Sequence, residues 1–308
     1  IFLVLILIYF VIGSNNEVIS QKFPDYQNVF NKFINNEELK SASIGFSLVD
    51  SESGENIFLY NDEKSLSSAS LMKLLTTATS LEYFDVDTKF KTEICYSGEI
   101  TENGVLEGDI YILGYGDPAL ASPFFDEHYN SPKHIFEKWT DVITNIGIKK
   151  VNGSVISIPV KFGFIKVPDK WLWEDIGNYY GASPSGLNYH DNMYYLHFTT
   201  GKFDKAPTKI IKTVPENVGL IFENSVLSSP IGGDRAYIYY GNSLNSRIII
   251  GTLPWNRSDF SIRGSLSQPE LLIAQHFSKH LELSNIEIIN QPSAKDIIPD
   301  SLSLIYTT

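Results

Sequence analysis

What this chain has little of narrows the reading first. Among 308 residues there is one cysteine, Cys95. An intrachain disulfide and a cysteine-based metal cluster are therefore excluded. Cys95 falls in the alternating run Phe90-Lys91-Thr92-Glu93-Ile94-Cys95-Tyr96, where a small strand residue fits. Positive charge is scarce too. Lysine and arginine total 24 against 36 acidic residues, a net charge of −12. A surface of that sign repels phosphate, which argues against nucleic acid as a partner. Repeats and low-complexity linkers are absent. So is an apolar run of comfortable membrane-spanning length: Ile1 to Ile12 is almost wholly apolar but short for a bilayer. A polar stretch follows from Gly13. This is the pattern of a secretory signal peptide, with cleavage expected between Gly13 and Gln21. No Met opens the chain and no basic leader precedes the run, so the true N-terminus is expected upstream. No cysteine follows it, so a lipoprotein anchor is not expected. An uncleaved, longer anchor is the alternative.

What is present starts with Ser68-Ala69-Ser70-Leu71-Met72-Lys73-Leu74-Leu75-Thr76-Thr77-Ala78. From Ser65 to Leu81 the only charge is Lys73. The stretch reads as the first turns of a buried helix. Ser70 and Lys73 are three apart, so on a helix their side chains can meet. A serine at a helix start lies beside free backbone N–H groups and the positive end of the dipole. Those groups favour an oxyanion. A lysine walled in by apolar neighbours loses solvation and becomes a usable base for the hydroxyl. Ser70 is therefore the candidate nucleophile and Lys73 its general base. The competing interpretation is a capping serine with a lysine on a solvated face. S-x-x-K is a loose pattern, and its apolar setting separates the two.

Along the chain, Pro24–Leu39 reads as a helix, and Ala42–Asp50 with Asn56–Tyr60 as a β-hairpin. Past Thr88 strands dominate: 89–96, 105–113, 151–160, 209–214, 235–240, 247–252, 260–263 and 286–289. Helices are expected at 132–146 and 268–283. Residues 171–195 are aromatic and turn-rich.

These segments carry a resemblance. Ala69-Ser70-Leu71-Met72-Lys73-Leu74 comes first, followed by Gly108-Asp109-Ile110-Tyr111-Ile112 and Gly116-Asp117-Pro118. Then come Trp171, Trp173, Asp175-Ile176-Gly177-Asn178-Tyr179-Tyr180-Gly181-Ala182, Ser185-Gly186-Leu187-Asn188-Tyr189-His190-Asp191-Asn192 and Gly251-Thr252-Leu253-Pro254. In this order they resemble the penicillin-binding D-alanyl-D-alanine carboxypeptidases/endopeptidases of the low-molecular-mass, class C type. The resemblance implies an α+β, multidomain chain. Its transpeptidase domain, similar to serine β-lactamases, would be interrupted by a β-rich insertion. It implies an acyl-enzyme formed on peptidoglycan stem peptides ending in D-Ala-D-Ala, with β-lactams acylating the same serine. No metal or organic cofactor is implied. The place of action would be the periplasm or cell wall. The expected boundaries are 1–21 for the signal peptide, 22–93 for the first part of the transpeptidase-like domain, 94–265 for the insertion, and 266–308 for a return to the first domain.

The chain departs from that family where S-x-N and K-T-G or K-S-G are expected. Ser243-Leu244-Asn245 matches by letters but reads as a hairpin turn. Lys212-Thr213-Val214 lacks the glycine that permits close approach. Both motifs are expected beyond Thr308, so the chain reads as the N-terminal part of an enzyme that cannot turn over efficiently by itself. A non-catalytic cell-wall-binding or scaffold protein of the same fold is the alternative. His276 and His280 have the i, i+4 spacing of metal ligands, but Phe277 stands where a zinc protease needs glutamate. His190, Asp191 and Asn192 read as loop-fixing residues, and Asn152-Gly153-Ser154 as a plain turn.

Overall fold

The computed structural model describes residues 26–128, 132–162, 167–243 and 245–308. The expected signal peptide lies outside the described residues. The chain divides into two compact units, Ile1–Thr88 and Lys89–Thr308.

In the first unit, helix α1 (Tyr26–Ile34) precedes an antiparallel hairpin of β1 (Phe46–Val49) and β2 (Asn56–Tyr60). One aromatic ring ties them together. Phe30, the buried residue of α1, lies 5.0 Å from Phe46, 5.1 Å from Phe58 and 5.0 Å from Tyr60, centroid to centroid. The expected helix and hairpin are both present. A 3-10 turn (Ala69–Leu71) then leads into α2 (Met72–Tyr83).

The second unit is built from four sheets around one continuous core. β3 (Thr92–Tyr96), β6 (Ile110–Gly114), β8 (Val155–Pro159), β16 (Ser293–Ala294) and β17 (Ser303–Thr307) form a five-stranded sheet in the order β16-β8-β6-β3-β17. Every residue of β6 and β8 is buried. Such strands read as continuous apolar runs because both faces are covered. One face meets the main core. The other holds Cys95, Tyr111, Leu113, Ile156 and Ile158. Cys95 is thus a strand residue as expected, and burial pushes its thiol up to about 11.

β4 (Glu99–Ile100), β5 (Val105–Glu107), β7 (Lys150–Val151) and β15 (Glu287–Ile288) form a smaller sheet. β9 (Met193–Thr199), β10 (Lys209–Val214) and β14 (Phe260–Ser265) form a third, antiparallel throughout. In the fourth, β13 (Ser246–Pro254) runs parallel to β11 (Ile221–Ser229) and antiparallel to β12 (Arg235–Tyr240).

Helices α3 (Pro132–Asn145) and α5 (Pro269–Leu283) meet in the core. Trp139 stands edge-on to Phe277 at 5.2 Å, and Phe136 reaches both Phe277 and Tyr189. The Ser157 hydroxyl donates to the Glu270 carbonyl at 2.7 Å, fixing the start of α5 to β8. Helix α5 and the last three strands belong to the second unit, because their apolar faces and edges are taken up by β8, β7 and β3.

His276 on α5 is held through both ring nitrogens. Its Nδ1 lies 2.9 Å from the Tyr189 hydroxyl and its Nε2 2.9 Å from the Glu216 carbonyl. Burial lowers its affinity for a proton, and the same holds for His190.

Two predictions follow from this packing. Trp139→Ala should cost about 3–5 kcal/mol, read as a lower urea midpoint. The second concerns pH. Below a histidine's ordinary value near 6.5, the unfolded chain takes up protons that the folded chain resists. Stability should therefore fall as pH drops from 7.5 to 5.5, by up to about 1.4 kcal/mol per pH unit for each histidine. His276→Gln should flatten that slope, measured by urea unfolding at several pH values.

Candidate active site

Ser70 lies in the 3-10 turn before α2, and Lys73 is in the first turn of the helix itself. The turn opens at Ala69, whose φ of 44° is left-handed and unusual for a residue with a Cβ. The Leu71 N–H donates to the Ser68 carbonyl at 3.0 Å, and the Met72 N–H to the carbonyls of Ala69 and Ser70. Tightened in this way, the backbone brings the two side chains together. Lys73 Nζ donates to Ser70 Oγ at 3.4 Å. That is a long hydrogen bond, at the outer edge of ordinary geometry.

The surroundings differ from the expected ones. Both Ser70 and Lys73 are exposed, and no residue of α2 is buried. Met72, Leu74, Leu75, Leu81 and Tyr83 all face water for half or more of their surface. The expectation of a buried helix is corrected on this point. Its apolar residues are spread around the circumference, which is the pattern of a helix covered on all sides. Within the first unit nothing described covers it. The desolvation that the role of Lys73 relies on is therefore not supplied there.

The letter-matches to the absent motifs sit in the second unit. Ser243 and Asn245 are in the turn between β12 and β13, where the Ser246 N–H donates to the Ser243 carbonyl at 3.0 Å. Lys212 and Thr213 are in β10, at the edge of its sheet. The engagement of both His276 nitrogens leaves neither open to a metal, and His280 lies against the Phe136 ring at 5.7 Å.

The other segments behind the resemblance act as braces. Asp109 accepts from the Ser154 N–H at 2.7 Å, tying β6 to the turn Asn152-Gly153-Ser154. Gly116, at φ 99°, donates its N–H to the Gly186 carbonyl at 2.7 Å. Asn188 Nδ2 donates to the Asp117 carbonyl at 2.8 Å, so these two loops are sewn together. His190, Asp191 and Asn192 all have φ near 55°. Those three residue types tolerate the left-handed region best. Asn192 holds the loop by accepting from the Tyr189 N–H and donating to the Ser183 carbonyl. The loop-fixing interpretation fits these bonds. Sequence reasoning missed the role of Asn178, whose amide pairs with both backbone groups of Ile238 on the edge of β12. An Asn just past Gly177 in a turn-rich run was the available signal.

Known proteins match this architecture. Penicillin-binding protein 4 (DacB) of Haemophilus influenzae superposes with a TM-score of 0.64 at 20% identity, covering 83% of this chain and 53% of that one. The same protein in complex with a β-lactam gives 0.59 at 18% identity, covering 83% of this chain and 51% of that one. These likenesses show the fold. In sequence, the chain is 23% identical over 258 residues to a D-alanyl-D-alanine carboxypeptidase of an Actinomadura species, covering 81% of this chain and 45% of that protein. It is 23% identical over 201 residues to the H. influenzae carboxypeptidase DacB, covering 65% of this chain and 39% of that protein. The chain thus spans about half the length of the curated relatives it matches, or less. The model of one family, the D-Ala-D-Ala carboxypeptidase 3 (S13) family, matches residues 26–298. An α+β chain with this fold and a match over most of its length belongs to that family.

Proposed function

We propose that the protein is a serine D-Ala-D-Ala carboxypeptidase, with Ser70 as nucleophile and Lys73 as general base. The observation that carries this is the Lys73 Nζ to Ser70 Oγ contact of 3.4 Å at the N-terminal turn of α2. In the reaction, Oγ attacks the carbonyl carbon of the penultimate D-Ala while its proton passes to the Lys73 amine. The positive end of the α2 dipole favours the negative charge that gathers on the tetrahedral oxygen. Collapse breaks the peptide C–N bond, and the leaving D-Ala amine takes the proton. Water then attacks the ester, and Ser70 recovers its proton. Cutting D-amino-acid crosslinks is the same chemistry with a longer leaving group. A β-lactam offers a strained amide to the same serine. The substrate is wall peptidoglycan, so export to the periplasm or cell wall goes with this proposal.

The exposure of Lys73 favours a second reading, a wall-associated protein that keeps the fold without turnover. A lysine acts as a base at neutral pH when its surroundings disfavour the ammonium. One experiment separates the two. The full-length gene product is treated with a fluorescent penicillin, and labelling of the wild type, Ser70→Ala and Lys73→Met is followed over time. The first reading expects no label on Ser70→Ala. It expects acylation of Lys73→Met slowed by roughly 10²-fold or more, the usual weight of a positioned base. Equal labelling of wild type and Ser70→Ala would remove Ser70 from the chemistry. A wild type that never labels would favour the scaffold.

A further inference from the structure

Three loops meet at one end of the third and fourth sheets, and their tips share a chemistry that the proposed reaction does not use. Strands β9 and β10 are joined by residues 200–208, β11 and β12 by 230–234, and β13 and β14 by 255–259. The strand pairing puts all three at the same end. β14 runs antiparallel to β9 with Phe260 opposite Phe198, and β11 runs parallel to β13 with Ser229 opposite Pro254. Backbone bonds then join the loops to one another. The Asn256 N–H donates to the Gly201 carbonyl at 2.7 Å, the Trp255 N–H to the Ser229 carbonyl at 2.9 Å and the Lys205 N–H to the Ser228 carbonyl at 2.8 Å. The Thr200 hydroxyl donates to the Pro254 carbonyl at 2.7 Å. The frame behind them is firm, since β12 is also backed by the short helix α4 (Trp173–Ile176).

These bonds occupy the backbone and leave the tips outward. Phe203 is 66% exposed, Ile231 53% and Trp255 40%, so each loop holds out one large apolar side chain. A lone exposed hydrophobe needs no explanation, but three on adjoining tips do. The charge beside them is also out of character for the chain. Lys202, Lys205, Lys209, Arg235 and Arg257 outnumber Asp204, Asp234 and Asp259 there, whereas the whole chain has 24 basic residues to 36 acidic ones. Two of those acids are engaged. Asp259 is paired with His197 Nδ1 at 2.7 Å, and Asp234 accepts from the Ala236 N–H at 3.0 Å. Lys202, Lys205 and Arg257 are exposed.

Size and charge together select the occupant. The exposed parts of the three apolar side chains come to on the order of 300 Å². That is short of the ~800 Å² that each side of a stable protein interface buries. A phosphate-bearing polymer would use the cations but leave the three apolar tips in water. An anionic bilayer takes both. Its headgroups attract lysine and arginine, and its interfacial layer accepts apolar side chains and an indole whose N–H stays hydrated. Binding of this kind grows with the apolar area buried plus the attraction to anionic lipid.

The geometry points to the three-loop end at Phe203, Ile231 and Trp255 as a docking tip for an anionic phospholipid surface. This goes beyond the peptidase reading and needs none of the chemistry at Ser70.

The test floats the full-length protein with vesicles of phosphatidylglycerol and phosphatidylethanolamine, and separately with vesicles of phosphatidylcholine. The wild type should partition onto the first at low salt and much less onto the second. Phe203→Ser and Ile231→Ser should each lower partitioning about fivefold. Lys202→Gln combined with Lys205→Gln should lower it roughly 20-fold on the anionic vesicles. Trp255→Phe keeps an apolar ring and should keep most of the binding. Brominated lipid should quench its fluorescence less than that of the wild type, because the inserted indole is gone. Every variant should melt and label with penicillin like the wild type. Wild type and variants share both chain ends, so attachment through any other segment cancels in the comparison. A wild type that stays off anionic vesicles would overturn the assignment, as would variants that partition like the wild type. Equal quenching of the wild type and Trp255→Phe would overturn it too. Binding to soluble polyphosphate but not to vesicles would point to a charged polymer, and the assignment would fail. Lost penicillin labelling with intact vesicle binding would count against the peptidase reading alone.

Discussion

The second unit depends on one contact made at long range in the sequence. Trp139 and Phe277 meet edge-on, and Phe136 closes the gap to Tyr189. Through that cluster α3 and α5 share a core with residues of all four described sheets. The polar braces work because the core is already formed. A buried amide such as that of Asn192 is stabilising when each of its groups is paired, and costly otherwise. The loops at 114–118 and 183–192 are therefore consequences of the packing beneath them.

The first unit shows the opposite balance. Its aromatic knot around Phe30 holds α1 to the hairpin, yet α2 has no comparable anchor. A helix with leucine, methionine and alanine around its circumference gains its stability from what covers it and little from propensity. The same cover would decide the chemistry. In bulk water a serine and a lysine 3.4 Å apart make a weak contact between flexible groups. In an apolar enclosure the same pair is oriented and desolvated together. Geometry and environment are thus separate requirements.

The sequence made local features legible and left their partners hidden. Strands β10 and β12 fall at the expected residues because alternation is strong there. The Ser70–Lys73 contact was readable because three residues along a helix turn give one face. Strand β11 escaped notice because Glu223, Asn224 and Ser225 interrupt its apolar pattern. Its place is fixed by a parallel ladder with β13, which periodicity does not report. The apolar stripe of α5 was visible, but a stripe does not say which sheet it faces. The burial of α2 failed for the same reason, since a pattern states a need for cover and not its presence.

One consequence concerns how the motifs behind the family resemblance divide the work. Of those motifs, the segment around Ser70 is the one that lies in the first unit. Asp109, Gly116, Asn178, Asn188 and Asn192 all spend their polar groups on backbone partners within the second unit. Groups engaged in this way are spent mainly on holding the scaffold. Selection for a stable frame accounts for the braces.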